Sequence, residues 1–304
     1  MKKLIASILC IVALISVAGC KNAETVRDEN KIQIVTTIFP LYDFARQVAG
    51  DRAQVTLLLP TGAEVHSYEP TPKDVISIKE SDLFIYLGRD ADPWAEAVIN
   101  DADNKNVNSL AAMDSVELMS EGEHISLSST VHTDPHIWTS PENAEEIVEA
   151  IEEKLCRIDS ENARYYKANA EKYEEKLAAL DEKFEELTEH KNITMVFADR
   201  FPFRYFADEY NIKYLAAYPG CSSESEPSAA TVSEIIDRVK KGNIPVVFYT
   251  ETANSSLADT ICEETGAKKE LFHSCHSVTD EQLKEGITYI DLMTQNYETL
   301  KKAI

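Results

Sequence analysis

Basic residues are scarce in this chain. Thirty Lys and Arg stand against 53 Asp and Glu over 304 residues, a formal charge of −23. That deficit excludes nucleic acid as a main partner, because displacing phosphate counterions takes a surplus of Lys and Arg. It also excludes a polybasic membrane-surface binder. Long apolar runs are missing after Val17, so no later segment is expected to span a bilayer, which takes about 20 residues. No His-Glu-x-x-His, Gly-x-Ser-x-Gly or phosphate-loop pattern occurs, so a secreted hydrolase has no motif in its favour and a non-enzyme is expected. What is present is a 44% hydrophobic content, enough for packed cores, and a length suited to about two domains.

The amino terminus reads as a targeting segment. Met1-Lys2-Lys3 precedes an apolar run from Leu4 to Val17, too short for a comfortable membrane span. Val17-Ala18-Gly19-Cys20 resembles a bacterial lipobox, which implies cleavage before Cys20 and a diacylglyceryl thioether on its sulfur. Residues 1–19 are therefore expected to be a signal peptide and 20–30 a polar tether. The mature protein is expected to be a lipoprotein facing the periplasm or cell surface. Cys156, Cys221, Cys262 and Cys275 remain, in a compartment that permits disulfides. Cys156 and Cys262 fall on or near apolar helical stripes and are expected as small core residues. Cys221 and Cys275 lie in polar loops.

Apolar runs alternate with amphipathic helices along both halves. Strands are expected at 32–37, 55–59 and 83–87, with helices from Pro40, Pro72, Pro93 and Pro141. Residues 31–159 form a first lobe on this reading. From Ser160 the pattern changes: Tyr166, Ala170, Tyr173, Leu177, Leu180, Phe184 and Leu187 are spaced alternately four and three apart, with mostly Glu, Lys and Asn between. This predicts one helix within 160–190, about 30 Å long, with a narrow apolar seam. A coiled-coil dimer and a helix lying across two lobes both fit that seam. Residues 191–304 repeat the strand–helix alternation as a second lobe. The fold class is α/β: two βα lobes with mostly parallel sheets joined by one long helix.

The chemistry falls in loops at strand ends, where open α/β sheets bind ligands. Gly62-Ala63-Glu64-Val65-His66-Ser67-Tyr68-Glu69-Pro70-Thr71-Pro72 follows the second strand; its glycine permits a sharp turn and its prolines stiffen the exit. Thr133-Asp134-Pro135-His136-Ile137-Trp138-Thr139-Ser140-Pro141 precedes a helix, with Ser140 placed as N-cap and Pro141 at its first position. There Asp134 can hold the His136 ring by accepting its second N–H, and Trp138 can wall the site from water.

In this order the two motifs resemble the zinc/manganese class of bacterial ABC-transporter solute-binding lipoproteins. The similarity spans essentially the whole mature chain, through the long helix to Gly286-Ile287-Thr288-Tyr289 and Asn296. The resemblance implies two α/β lobes bridged by a rigid helix, with a metal in the cleft between them and His66 and His136 as first-lobe ligands. It further implies an ABC permease as partner; a monomer is expected. The third histidine of that family, in a pattern like His-Asp-Ala-Phe-x-Tyr-Phe, is replaced here by Arg200 of Arg200-Phe201-Pro202-Phe203-Arg204-Tyr205-Phe206, a cation that cannot ligate a metal. The family's late acidic ligand is replaced by Leu271-Phe272-His273-Ser274-Cys275-His276-Ser277.

These departures leave the second-lobe ligands to be chosen from local chemistry. His276 is expected as the ligand, with Cys275, His273 and Glu226 in reserve and Glu226 alternatively paired with Arg200. A Cys221–Cys275 disulfide is also expected, because both lie at strand-end loops of the second lobe. Imidazole with thiolate suits Zn²⁺, and imidazole with carboxylate suits Zn²⁺ or Mn²⁺. The expected function is capture of Zn²⁺ outside the cell for delivery to a permease, with Mn²⁺ as the alternative cargo and a surface adhesin or secreted zinc hydrolase as other classes. Ser120 to His132 reads as a flexible polar loop rather than a metal collector.

Overall fold

Short apolar runs close into two sheets. A computed structural model describes residues 28, 30–63, 68–89, 91–101, 107–119, 133–218 and 227–304, with 31–304 forming one compact unit. The first sheet comprises β1 (Ile32–Thr36), β2 (Ala53–Leu57), β3 (Leu83–Tyr86) and β4 (Asn108–Ala111), in the order β2-β1-β3-β4. The second comprises β5 (Thr194–Phe197), β6 (Lys213–Ala216), β7 (Val246–Tyr249) and β8 (Lys268–Leu271), in the order β6-β5-β7-β8. All of these pairings are parallel. Central β3 is buried at all four positions, as a strand covered on both faces must be. The two sheets thus share one topology without a sequence repeat. In each, the chain leaves the first strand to one side and returns to the other, which opens a crevice at the carboxyl edge.

Helices cover the sheets: α1 (Phe39–Ala49), α2 (Pro72–Lys79), α3 (Pro93–Ile99), α4 (Pro141–Ile158), α5 (Ala163–Thr188), α6 (Arg204–Glu209), α7 (Ala229–Gly242), α8 (Ser256–Thr265), α9 (Asp280–Glu285) and α10 (Tyr289–Leu300). The apolar seam of α5 is buried at Tyr166, Ala170, Tyr173, Leu177, Leu180 and Phe184, and it packs along α4, α1 and α10 of the same chain. The seam is therefore used within the chain, as in the second of the two readings it allowed. Each fully buried Leu or Phe there contributes about 1.5–3 kcal/mol of transfer free energy. Gly50 ends α1 at φ 53°, a conformation that strains any residue with a Cβ, beside the Tyr165 hydroxyl of α5.

Several elements differ from expectation. Strand β4 was not foreseen, because Asn-Ser-Leu-Ala lacks β-branched residues and lies on the sheet edge. Helix α9 was also missed, although Thr279 and Gln282 form a complete capping box. Gly242 is the last residue of α7 rather than its stop; Asn243 takes the left-handed cap at φ 49°. Cys156 and Cys262 are half-buried free thiols rather than full core residues.

Candidate metal centre

His136 lies between β4 and α4 and is 1% exposed. Its Nδ1 stands 2.7 Å from Asp134 Oδ1, which also accepts the His136 backbone N–H at 2.9 Å. A carboxylate only accepts, so the ring proton sits on Nδ1 and the lone pair on Nε2. The loop is fixed from both sides. Thr139 donates its hydroxyl to the His136 carbonyl at 2.8 Å, and Ser140 caps α4 by accepting from the Asn143 N–H at 3.0 Å. Tyr205 of α6 donates to the Asp134 carbonyl at 2.9 Å, so the second half of the chain also holds this loop.

His276 approaches from the loop after β8 and is 6% exposed. Asn296 of α10 grips the start of that loop, accepting from the His273 N–H at 2.6 Å and donating to the His273 carbonyl at 2.7 Å. The chain then turns through Cys275 at φ 63°, whose N–H bonds to His273 Nδ1 at 3.0 Å. The His276 carbonyl accepts the Phe39 N–H at 3.4 Å, satisfying a donor at the start of α1, where Ile38 supplies no side-chain cap. Trp138 donates to the Ser274 carbonyl at 2.9 Å. The rings of His136 and His276 meet edge to face at 4.8 Å, with Trp138 4.9 Å from His276 and 5.4 Å from His136.

The structure sorts the expected residues. His136, Trp138, Asp134 and His276 come together. His273 directs Nδ1 into its own turn, and burial lowers its pKa despite Glu251, 3.5 Å away. Cys275 is a free thiol buried in the core, in a loop held by hydrogen bonds, while the Cys221 expected to bridge to it lies outside the described residues. Burial, followed by the nearby Glu251 and Asp43 charges, pushes the Cys275 thiol well above its usual range. Arg200 follows β5, partly buried. His66, Glu226, Cys221, Cys20 and the 120–132 loop lie outside the described residues. Near the start of the His66 loop, the Gly62 N–H bonds to Ser277 Oγ at 2.8 Å, beside His276 in sequence, and Thr61 bonds to Asp280. Among the described residues no group of three metal-ligating side chains converges. The pair of imidazoles needs at least one further donor.

Glu251 was missed by sequence reasoning. It follows β7 beside β8, accepting from the Ser274 hydroxyl at 2.6 Å and the Ser274 N–H at 2.8 Å. Its signal was an acid at a strand's carboxyl end, next to the loop that bears His276.

Comparison with known proteins gives consistent matches. The family model described as zinc-uptake complex component A, periplasmic (ZnuA) matches residues 34–303. The zinc-binding lipoprotein AdcA of Streptococcus pneumoniae is 35% identical over 99% of this chain, which spans 61% of that relative's length. The high-affinity zinc uptake system protein ZnuA of Bacillus subtilis is 32% identical over 95% of this chain and 93% of its own. The Zn(II)-bound ZnuA-like domain of Streptococcus pneumoniae AdcA superposes with a TM-score of 0.77, covering 90% of this chain and 98% of that domain.

Proposed function

Because this chain belongs to the ZnuA family of zinc-uptake components, we propose that it captures Zn²⁺ outside the cytoplasm and hands it to an ABC permease. It acts by binding its cargo rather than by turnover. The observation that carries this reading is the pairing of His136 and His276, two buried imidazoles 4.8 Å apart. His66 is the third ligand on this reading, which accounts for the docking of Thr61 and Gly62 beside Ser277. Three neutral imidazoles favour Zn²⁺ over Mn²⁺, which prefers oxygen donors. The sites of His273 and Cys275 argue against their use as ligands; Glu226 remains the carboxylate reserve, and Arg200, a permanent cation, cannot ligate the metal. Residues 31–159 and 191–304 serve as the two lobes and 160–190 as the connecting segment, with Cys20 as the lipid anchor.

Elemental analysis of protein purified without chelator, followed by competition between Zn²⁺ and Mn²⁺, tests the proposal. One tightly held zinc per chain, undisplaced by excess manganese, is expected. No retained metal, or a preference for manganese, contradicts it.

A further inference from the structure

The two imidazoles are held by different devices. His136 donates directly to the carboxylate of Asp134. Among the described residues, His276 Nδ1 meets the Ser274 hydroxyl, 2.6 Å away. A hydroxyl both donates and accepts, so alone it leaves the imidazole tautomer open. Glu251 removes that freedom. Its Oε1, 2.6 Å from Ser274 Oγ, accepts the only hydroxyl proton, so Oγ must accept from His276 Nδ1–H. The proton is then fixed on Nδ1 and the lone pair on Nε2. The other oxygen of Glu251 takes the Ser274 N–H at 2.8 Å, so both oxygens hold the Ser274 turn.

We propose that Glu251 is the positioning residue for His276, acting through the Ser274 hydroxyl to present Nε2 to the zinc. The proposal rests on the reading of His276 as a zinc ligand. It extends to His276 the logic that Asp134 applies to His136, since the partner of a ligating imidazole sets its tautomer, its orientation and its basicity. The carboxylate comes from β7 and the imidazole from the neighbouring β8 loop, so their relation is fixed by the sheet.

The test compares zinc affinity, by competition with a chromophoric chelator, across the intact mature protein and four variants. Long-range ¹H–¹⁵N correlation of the metal-free proteins reports the His276 tautomer. Ser274→Ala removes the hydroxyl but keeps the backbone bond to Glu251, so the loop stays held. It is expected to bind zinc roughly 10–100-fold more weakly and to lose the pure Nδ1–H signature. Ser274→Thr restores the hydroxyl and is expected to recover both. Glu251→Gln offers an amide that can donate to Oγ, turning the hydroxyl toward Nδ1 and moving the ring proton to Nε2. Parent-like affinity in Ser274→Ala and Glu251→Gln alongside weak binding in His276→Ala overturns the proposal and leaves the zinc site standing. A loss in Ser274→Ala with unchanged tautomer and no rescue by threonine also overturns it, since the role is then structural. Parent-like binding by His276→Ala rejects the ligand reading itself, and this proposal with it.

Discussion

His136 and His276 matter as residues because neither is a surface imidazole. Each is buried, has its Nδ1 occupied, and packs against the indole of Trp138. For His136 the controlling contact is the 2.7 Å bond to Asp134. Asp134→Ala is therefore expected to weaken zinc binding by roughly 10–100-fold while the protein still folds, measured by chelator competition beside a circular-dichroism melt. Much of this site was legible in the sequence. Asp134-Pro135-His136 and Trp138 announce an oriented, walled imidazole, and three ligating residues crowd 273–276. What could not be read was which of the three turns inward. That depends on the left-handed turn at Cys275, on Asn296 gripping His273 from α10, and on Glu251 reaching over from β7. These contacts join residues far apart in the chain and leave no local pattern.

At the scale of elements, the long periodic helix was readable, and so were short apolar strands such as β3, whereas β4 and α9 were not. The α5 seam, with its alternating spacing, marks a 26-residue helix, whereas β4 and α9, of four and six residues, are settled by their neighbours. Short α6 carries a consequence for pH. Its last residue, Glu209, accepts from the Glu142 N–H in the first turn of α4 at 3.3 Å. Burial, with Asp181 and Glu142 nearby, pushes its carboxyl from 4.5 up to about 8. Between those two values the folded chain holds a proton that the unfolded chain has released, so stability falls as pH rises through this window. Glu209→Gln, permanently neutral, is expected to melt at a higher temperature than the parent. The gap should widen from about pH 5 to about pH 8 and reach a few degrees, as relief of about 1–3 kcal/mol of burial strain implies. Melting curves at several pH values check this; a constant gap removes Glu209 as the cause.

Across the whole molecule, one continuous apolar core runs from the first sheet through α5 to the second. Asp43 of α1 ties that helix to α5 and α10 by hydrogen bonds. It is 0% exposed and accepts from Arg46 at 2.6 Å, from the Tyr173 hydroxyl of α5 at 3.1 Å and from the Tyr289 N–H of α10 at 2.7 Å. Asp43→Ala takes the carboxylate from Arg46, leaving it the Gly286 and Ile287 carbonyls, and removes the acceptor of three further donors, Gln47 Nε2, the Tyr173 hydroxyl and the Tyr289 N–H. It is expected to cost about 3–5 kcal/mol in denaturant unfolding, which should proceed as one transition because the lobes share their core. Two separated transitions contradict that view. The shared core holds the His136 and His276 loops face to face.

Calorimetric titration of zinc into metal-free parent, His136→Ala, His276→Ala and the double variant tests that arrangement most directly. The parent is expected to bind one zinc per chain. Each single variant should bind at least tenfold more weakly, and the double variant should show no saturable binding under the same conditions. Parent-like titration of the double variant, with its fold intact, contradicts the assignment of this histidine pair as the zinc site.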